Sequence, residues 1–323
     1  KVIEKKEVII SHKHEIVAKV PTSALSDQTP TNIHPIIKEP PSSLQEKWKW
    51  KENQLPIAKK EGIYSLKSQK NYCWSEIILF LLANPSIASK KWVFQQYDYQ
   101  VQLNTVFKPG DSDAAVIRLR SQNDISNENN KFKGIAASVD CNNRWVALDP
   151  YRGSIAAVAE SARNVTCVGA LPVAITNNLN FPSPENDIGY WQLASSCDGI
   201  SEACKILETP VTGGNVSLYN ESKDDKGIVT PIQPTPVIGM VGIIDNVDKA
   251  ISSGWKNLDD EIWLIGSISS ETTLSASSYL DYFHGLISGR PPSIDLEDEK
   301  NIQKFIRLGI LEGFISSCHD VSD

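Results

Sequence analysis

The sequence predicts a mixed α+β protein with two domains. Three observations favour this fold class. A chain of 323 residues is longer than one hydrophobic core usually serves, which indicates roughly two domains of about 100 to 200 residues. Short β-prone runs alternate with helical segments in the middle of the chain. With 41% hydrophobic and 22% charged residues, the composition is that of an ordinary globular protein.

The first 95 residues are the least regular part of the chain. Residues 1–20 contain β-prone runs, and the segment that follows them is rich in proline, serine and threonine. Such a composition is typical of linker or surface coil. One helix is expected over 74–82. We therefore interpret 21–95 as a connecting region.

A regular pattern of strands and helices follows. The segment 153–170 places Ile155, Val158, Ala159 and Ala162 on one helical stripe of mostly small residues, so this helix can lie close on a sheet. A second segment with this pattern follows later in the chain. The candidate strands are 114–119, 134–140, 173–176, 210–212 and 236–244, and the second helix is 188–207.

The last seventy residues indicate the opening of another domain. After a polar loop, a strand is expected at 262–266, a helix at 274–286 and an amphipathic helix at 302–314. The chain then stops at "SCHDVSD" without a terminal helix or cap. We therefore expect this chain to be cut short of a natural end.

Charge, apolar runs and cysteine spacing exclude several classes of protein. A net charge of −7, with no basic stripe among aromatics, argues against a nucleic-acid partner. The longest apolar run is broken by Asn84 and Pro85, well short of the roughly 20 residues that a membrane span requires. No signal peptide is recognisable, so we expect a cytoplasmic protein, with an organellar stroma as the alternative compartment. Six cysteines without a CxxC pair suggest reduced thiols rather than a zinc site or disulfide framework.

Four histidines are expected to lie mostly at the surface. They are His12, His14, His34 and His284.

The stretch "TPVTGGNVSLYN", residues 209–220, places two glycines and an asparagine where a buried strand should end. Glycine permits positive φ or the close approach of a ligand to the backbone. Asparagine offers an oxygen to a cation or an amide to a phosphate. On these residues alone a tight turn is the favoured interpretation, because Gly-Gly and Gly-Asn are common turn residues. A ligand site is the alternative.

Further motifs favour the ligand site over the tight turn. In order along the chain they read "YDYQVQLNTV", "ASVDCNNRWVALDPYRGSIAAVAESARNVTCVGALPVAITN", "GISEACKILETPVTGGNVSLYNES" and "PTPVIGMVGIID". Together they resemble the phosphoribosylformylglycinamidine synthase family of the aminoimidazole ribonucleotide synthetase superfamily, from about residue 90 onward. The resemblance implies an aminoimidazole ribonucleotide synthetase-like α+β fold, in which a smaller, barrel-forming α/β-sandwich domain precedes the start of a second α+β domain.

Enzymes of this family consist of two similar halves, and the chain resembles the second half. The resemblance assigns 1–20 to the remnant of a preceding domain and 21–95 to a Pro-rich interdomain linker. It assigns 96–250 to the second copy of the synthetase N-terminal-like domain and 255–323 to a truncated C-terminal-like domain. Because the two smaller domains of the family pack face to face, a chain with one of them is expected to form a homodimer through 105–245.

The implied activity is that of an ATP-dependent C–N ligase of purine biosynthesis. Such an enzyme converts formylglycinamide ribonucleotide, ammonia from glutamine and ATP to formylglycinamidine ribonucleotide, ADP and phosphate. The resemblance implies Mg²⁺ and ATP as cofactors, and a glutaminase subunit and a small accessory subunit as partners. The family's "SHNHPS"-like segment with the catalytic histidines does not occur in this sequence. We therefore expect no catalytic residue in the chain and no activity from the chain alone.

Four residues are implied to bind ligands in the main site. The resemblance places Asn177 and Gly214 against ATP, makes Asn215 a ligand of magnesium and brings Ser217 to the formylglycinamide ribonucleotide. Some relatives have aspartate at the Asn177 position, which leaves a neutral hydrogen-bonding role for this asparagine. The alternative is a turn with a satisfied polar cluster.

A second, auxiliary nucleotide site is implied by the remaining polar residues. In this copy Asn142 and Arg144 stand at the family's two histidine positions. The residues that would line the auxiliary site are Asp140, Asp149, Asn164 and Asp320. Solvated or helix-capping carboxylates are the alternative interpretation. Two other functions also remain open, a non-catalytic nucleotide-binding scaffold half and another ATP-dependent member of the superfamily.

Overall fold

A computed structural model describes residues 6–31, 33, 37, 39–120, 132–266 and 274–322. The chain divides into two compact units, Lys1–Pro35 and Ile36–Asp323. The first contains an antiparallel hairpin of β1 (Glu7–His12) and β2 (Glu15–Pro21), followed by a 3₁₀ turn at Thr22–Leu25. The β-prone runs predicted in 1–20 are therefore confirmed as strands.

The second unit begins with short elements. The predicted helix at 74–82 is present, and the Glu76 carboxylate caps it by accepting a 2.8 Å hydrogen bond from the Cys73 N–H. Ile63 and Ile77 pack with Phe283 in a small apolar cluster. The elements here are α1 (Ser42–Trp48), β3 (Gly62–Ser65), β4 (Lys70–Cys73), α2 (Trp74–Leu82) and α3 (Lys91–Phe94).

The centre of the second unit is a five-stranded sheet. Its strand order is β5-β6-β11-β7-β8, with β7 and β8 parallel and every other neighbouring pair antiparallel. Strand β8 is an edge strand, and a two-stranded ribbon of β9 and β10 follows it. The bounds are β5 (Ala115–Arg118), β6 (Gly134–Asp140), β7 (Leu171–Asn180), β8 (Val211–Ser217), β9 (Glu221–Lys223), β10 (Val229–Pro231) and β11 (Thr235–Ile244).

Two long helices cover one face of this sheet. They are α5 (Pro150–Cys167), which follows the short α4 (Asn143–Leu148), and α6 (Asp187–Leu207). The small-residue stripe of α5 is buried, with Ala159 and Ala162 fully inaccessible. A Cβ on Gly242 of β11 would lie 2.3 Å from Val165 Cγ1, so glycine is what lets strand and helix approach this closely. The sequence prediction for both helices is confirmed.

The Gly-Gly-Asn stretch is not a turn. Strand β8 runs through both glycines to Ser217, so the predicted strand at 210–212 was too short and the turn interpretation is wrong. The adjacent β7 is also longer than expected. Each strand supplies the other with backbone partners, since Gly213 and Gly214 pair with Thr176 and Asn177. This long-range pairing overrides the local turn preference.

The C-terminal predictions are met in part. No strand forms at 262–266, because a strand needs a hydrogen-bonded neighbour and none lies beside this run within the described residues. The helix expected at 274–286 is a single π-helical stretch, Tyr279–His284. Helix α7 (Leu296–Leu311) starts earlier than predicted, since the Asp295 carboxylate accepts N–H bonds at its first turn.

Among the described helices, none has the length and apolarity to cross a membrane.

Candidate functional site

The four residues predicted for the main site lie on the neighbouring parallel strands β7 and β8. Asn177 pairs with Gly214, Asn178 with Asn215, and Asn180 with Ser217. The structure therefore brings all four predicted residues together at one end of one strand pair. Since successive side chains alternate between the faces of a sheet, however, the four residues do not share a face.

Asn177 and Gly214 face the helical side of the sheet. Asn177 pairs across β11 with Ile238, which is fully buried in the core between sheet and helices. The Asn177 side chain lines a cavity of about 570 Å³ formed with α6 and the start of β8, whose walls include Lys205 and Val211. This cavity is the space next to Asn177 in which a ligand could lie.

Gly214 is packed against Asn177. A Cβ at this glycine would lie 1.8 Å from Asn177 Oδ1 and 2.6 Å from the Asn177 carbonyl oxygen. Both distances are far inside van der Waals contact, so a side chain is excluded unless the strands move apart. By contrast, a Cβ at Gly213 would meet no atom within 4 Å. The two glycines therefore have different roles, close packing for Gly214 and open backbone for Gly213.

Asn215 lies on the opposite, open face of the sheet. Its Nδ2 donates a 3.0 Å hydrogen bond to Asn178 Oδ1, which leaves the Asn215 amide oxygen outside this bond. On the same face the Thr176 hydroxyl donates to the Gly213 carbonyl at 3.1 Å. The open face therefore presents neutral polar groups beside exposed backbone.

Ser217 ends β8 in a small hydrogen-bonded network. Its hydroxyl lies 3.2 Å from Asn220 Oδ1, and the Asn220 amide donates to the carbonyls of Ser217 at 2.8 Å and Phe181 at 3.2 Å. The hydroxyl is half-buried and can still accept a hydrogen bond from a ligand. The network orients Ser217 toward the face that carries Asn215.

Three of the four auxiliary-site residues lie in one region, at the end of β6 and along the second half of α5. Asn164 Nδ2 donates to Asp140 Oδ2 at 3.1 Å. Asp320 Oδ2 lies 3.6 Å from Arg163, the neighbour of Asn164 in α5. These contacts are compatible with a shared polar site.

Asp149 is not part of that region. It caps the N-terminus of α5 by accepting the Arg152 N–H at 3.0 Å, and it pairs with Arg290 at 2.6 Å. Fifteen residues of helix separate it from Asn164, which is about 22 Å at 1.5 Å per residue. Asp149 as a whole is 3% exposed, and the partners of its carboxylate named here are protein groups. For Asp149 the geometry therefore favours the capping alternative.

Sequence reasoning missed one cluster, formed by Asp113, His319 and Asp320. His319 Nδ1 lies 2.7 Å from Asp113 Oδ1, the Asp320 N–H donates to Asp113 Oδ2 at 3.0 Å, and ligand atoms of the three side chains lie within 4.8 Å of one another. Such an oxygen and imidazole set could hold a divalent cation. The only sequence signal was the His-Asp pair in "SCHDVSD", which by itself does not reveal Asp113 as a neighbour.

The two residues at the family's histidine positions have structural roles. The Asn142 side chain caps α4 by accepting the Trp145 N–H at 3.2 Å. Arg144 is buried and donates to the Ala276 carbonyl and the Ser278 hydroxyl, each at 2.9 Å, while its third nitrogen pairs with Asp281 at 3.3 Å. Neither side chain is placed as a base.

Shifted pKa values near the sheet also oppose acid–base roles. Burial, together with the neighbouring Asp140 carboxylate, raises the pKa of the Cys141 thiol to about 12. A hydrogen bond to Glu202 raises the pKa of Tyr151 to about 12. Both groups stay protonated at neutral pH.

The histidines outside the motifs are placed mostly as expected. Of these, His12 and His14 are exposed, His34 lies outside the described residues, and His284 is buried, contrary to expectation.

Comparison with known proteins agrees with the motifs. Residues 111–244 match the family model "AIR synthase related protein, N-terminal domain". Over its whole length the chain is 70% identical to phosphoribosylformylglycinamidine synthase subunit PurL of Prochlorococcus marinus strain MIT 9515 and 53% identical to that of strain NATL2A. The chain is a PurL homologue. It spans 41% of the length of these relatives.

Solved structures confirm the mixed α/β fold of this PurL homologue. PurL of Thermotoga maritima complexed with AMPPCP superimposes with a TM-score of 0.56 at 24% identity, covering 97% of this chain and 40% of that one. The same protein complexed with FGAR gives a TM-score of 0.53 at 24% identity, covering 96% and 38%. The family resemblance and the fold class predicted from the motifs are thus confirmed.

Proposed function

We propose that the protein containing this chain is an ATP-dependent C–N ligase, a phosphoribosylformylglycinamidine synthase. It would convert formylglycinamide ribonucleotide, ammonia derived from glutamine and ATP to formylglycinamidine ribonucleotide, ADP and phosphate. The observation that carries the proposal is the 70% identity, over all of this chain, to subunits that bear this name. PurL of T. maritima has been solved with AMPPCP and with FGAR, and we assign the same classes of ligand here.

Within this activity, Asn177 and Gly214 would contact ATP from the helical side of the sheet. The cavity beside Asn177 gives a ligand room, and the missing side chain at Gly213 leaves the adjacent backbone open on the other side. A neutral asparagine in this place can donate to or accept from a nucleotide without adding negative charge near its phosphates. Positioning of this kind is the contribution that phosphoryl transfer requires from a protein.

Asn215 would be the magnesium ligand and Ser217 the substrate contact, both on the open face. The amide oxygen of Asn215 is a hard donor that fits Mg²⁺, but it is neutral and supplies a single ligand. Asn178, Asn180 and Thr176, the polar neighbours on that face, are neutral as well. The residues themselves therefore supply no charge to balance the cation. Because β8 is the edge strand of the sheet, the phosphates of an ATP molecule on the helical side would have to reach around this edge to the cation on the open face. When bound, Mg²⁺ would supply neutralisation of phosphate charge.

A second candidate function is a non-catalytic, nucleotide-holding half that supports the ligase. One specific observation favours it. Asn142 caps helix α4 and buried Arg144 binds the Ala276 carbonyl, so neither of the family's histidine positions carries a base. Asp140, Asn164 and Asp320 would line the auxiliary nucleotide site in this function. The division of the chain into the linker 21–95 and the synthetase domains 96–250 and 255–323 likewise remains our proposal.

The assembly of the protein is proposed on the same basis. A glutaminase subunit and a small accessory subunit would deliver ammonia in the cytoplasm. The homodimer through 105–245 would use the open face of the sheet, where Val139 is 72% exposed and Ile117 and Ile135 are also accessible. An apolar sheet face of this kind is commonly covered by a partner in solution.

Asn215 in the full-length protein provides the test. We expect Asn215→Ala to raise the apparent KM for Mg-ATP about tenfold, while the free energy of unfolding changes by less than about 0.5 kcal/mol, because the side chain is exposed. The matched control is Asn301→Ala on the exposed side of α7. An unchanged KM, or a loss of activity explained by unfolding alone, would contradict the assigned role.

The ligase activity itself is measured separately. Full-length protein supplied with FGAR, ATP and ammonia should form the amidine product and release ADP. Bound nucleotide that copurifies without turnover, and with no product from FGAR, would support the scaffold function instead. The Asn215 comparison requires this activity, and it can fail while the ligase activity itself is present.

A further inference from the structure

Two cysteines from distant parts of the chain meet in the second unit. Cys167 is the last residue of α5 and is buried, while Cys318 is half-buried in the segment that follows α7. Their sulfur atoms lie 3.5 Å apart although 151 positions separate the residues in sequence. This contact has no part in the proposed ligand sites. It therefore requires an explanation of its own.

The geometry is close to that of a disulfide. The sulfur atoms of a disulfide lie about 2.05 Å apart, so the two thiols need to approach by about 1.5 Å. Cys167 is fixed by helix packing. Cys318 lies in a segment without helix or strand, and its backbone N–H bonds to the Ser252 carbonyl at 3.3 Å. The Cys318 segment can therefore supply most of the movement.

We propose that Cys167 and Cys318 form a reversible intramolecular disulfide when the protein meets a peroxide. The half-buried Cys318 is reached first. Its thiolate attacks the peroxide, an S–O bond forms as the O–O bond breaks, and one water leaves with the thiol proton. Cys167 then attacks the sulfenic sulfur, the S–S bond forms and a second water leaves. A dithiol reductant returns both residues to thiols by exchange.

The bond would anchor the segment that carries His319 and Asp320. The two residues after Cys318 contact distant parts of the chain. His319 Nδ1 lies 2.7 Å from Asp113 Oδ1, and Asp320 Oδ2 lies 3.6 Å from Arg163 Nε. A covalent link from Cys318 to α5 would restrict how far this segment can move away from those partners. Oxidation is therefore expected to hold the Asp113, His319 and Asp320 cluster in the arrangement described above, whereas in the thiol form the segment can move away from it.

Peptide mapping tests the proposal in the full-length protein. Reduced protein is treated with hydrogen peroxide, remaining thiols are blocked by alkylation, and the digest is analysed without reductant. We expect a linked peptide pair containing Cys167 and Cys318 that disappears on treatment with dithiothreitol. Cys318→Ser should abolish the pair, whereas Cys197→Ser, which removes an exposed thiol of α6, should leave it in place.

A second measurement reports the consequence of the bond. Amide hydrogen exchange in 314–322 should slow severalfold on oxidation of the unaltered protein and remain unchanged in Cys318→Ser. Sulfinic acid at Cys318 without the linked pair, or links only between separate molecules, would overturn the proposal. Equal exchange in the oxidised and reduced forms would refute the anchoring. None of these readouts depends on ligase activity.

Discussion

The contact between Gly214 and Asn177 allows a sharp test of the strand pair that carries the proposed nucleotide site. The perturbation is Gly214→Ala, which adds one methyl group to β8. In the present geometry this methyl would lie 1.8 Å from Asn177 Oδ1 and 2.6 Å from the Asn177 carbonyl oxygen. The Asn177 side chain can rotate away. The carbonyl oxygen belongs to the backbone of β7, so relief of the second contact requires the strands to separate.

The magnitude follows from these two distances. Ordinary contact begins near 3.4 Å, so the backbone oxygen at 2.6 Å requires roughly 0.8 Å of movement. Overpacking of this kind costs about 1–3 kcal/mol. Replacement of glycine by alanine also restricts the unfolded chain, which offsets about 0.4–1 kcal/mol. We expect a net local destabilisation of about 1–2 kcal/mol.

The matched control is Gly213→Ala, one residue earlier on the same strand. No atom lies within 4 Å of its added methyl, so only the unfolded-chain effect remains and the strand should become slightly more stable. Because a large protein need not unfold in one step, the assay is native-state amide hydrogen exchange of β7 and β8. Exchange should be about 5- to 30-fold faster in Gly214→Ala and no faster in Gly213→Ala. Equal exchange in the two variants would refute the packing argument.

Two further predictions concern stability. Arg144→Met should lower the free energy of unfolding, measured by thermal unfolding, by about 2–4 kcal/mol, because it leaves Asp281 and the Ala276 carbonyl without the arginine as a partner. A decrease below about 0.5 kcal/mol would contradict a structural role for Arg144. Burial lowers the pKa of His284 from its usual 6.5, so the unfolded chain takes up this proton first. Its stabilising contribution is complete above pH 6.5 and is lost as the pH falls toward the folded-state pKa. Urea unfolding between pH 7.5 and 5.5 should show this loss, at most about 1.4 kcal/mol per pH unit, and His284→Gln should reduce it. If the free energy of unfolding depended on pH in His284→Gln as it does in the unaltered protein, His284 would not be the group responsible for the loss.

Much of the fold could be predicted from the sequence because it depends on local pattern. The stripe of Ala159 and Ala162 specified both the helix and the face that it buries, since helical periodicity needs only neighbouring residues. The strand at 134–140 was predicted to the residue, and its side chains alternate between buried and exposed positions as a strand requires. The ordered motifs also identified the family, because they are read directly from the sequence.

The site could be predicted only as a set of residues. Sequence placed Asn177, Gly214, Asn215 and Ser217 in one region, and the parallel pairing of β7 with β8 brings them together. Which residues of β8 share a face with Asn177 depends on the register of that pairing, which no local pattern reveals. The turn expected at the two glycines failed for the same reason, because the partner strand lies more than thirty residues away.

Contacts between distant segments were decided by the tertiary structure alone. Asp149 resembled an auxiliary-site carboxylate until the length of α5 separated it from Asn164. Cys167 and Cys318 gave no sequence signal as a pair, yet packing places their sulfur atoms 3.5 Å apart. The sequence by itself determined the helices, most of the sheet and the family, because those depend on periodicity and ordered motifs. Only the fold decided which side chains meet, because a contact between residues far apart in sequence exists only after the chain has packed.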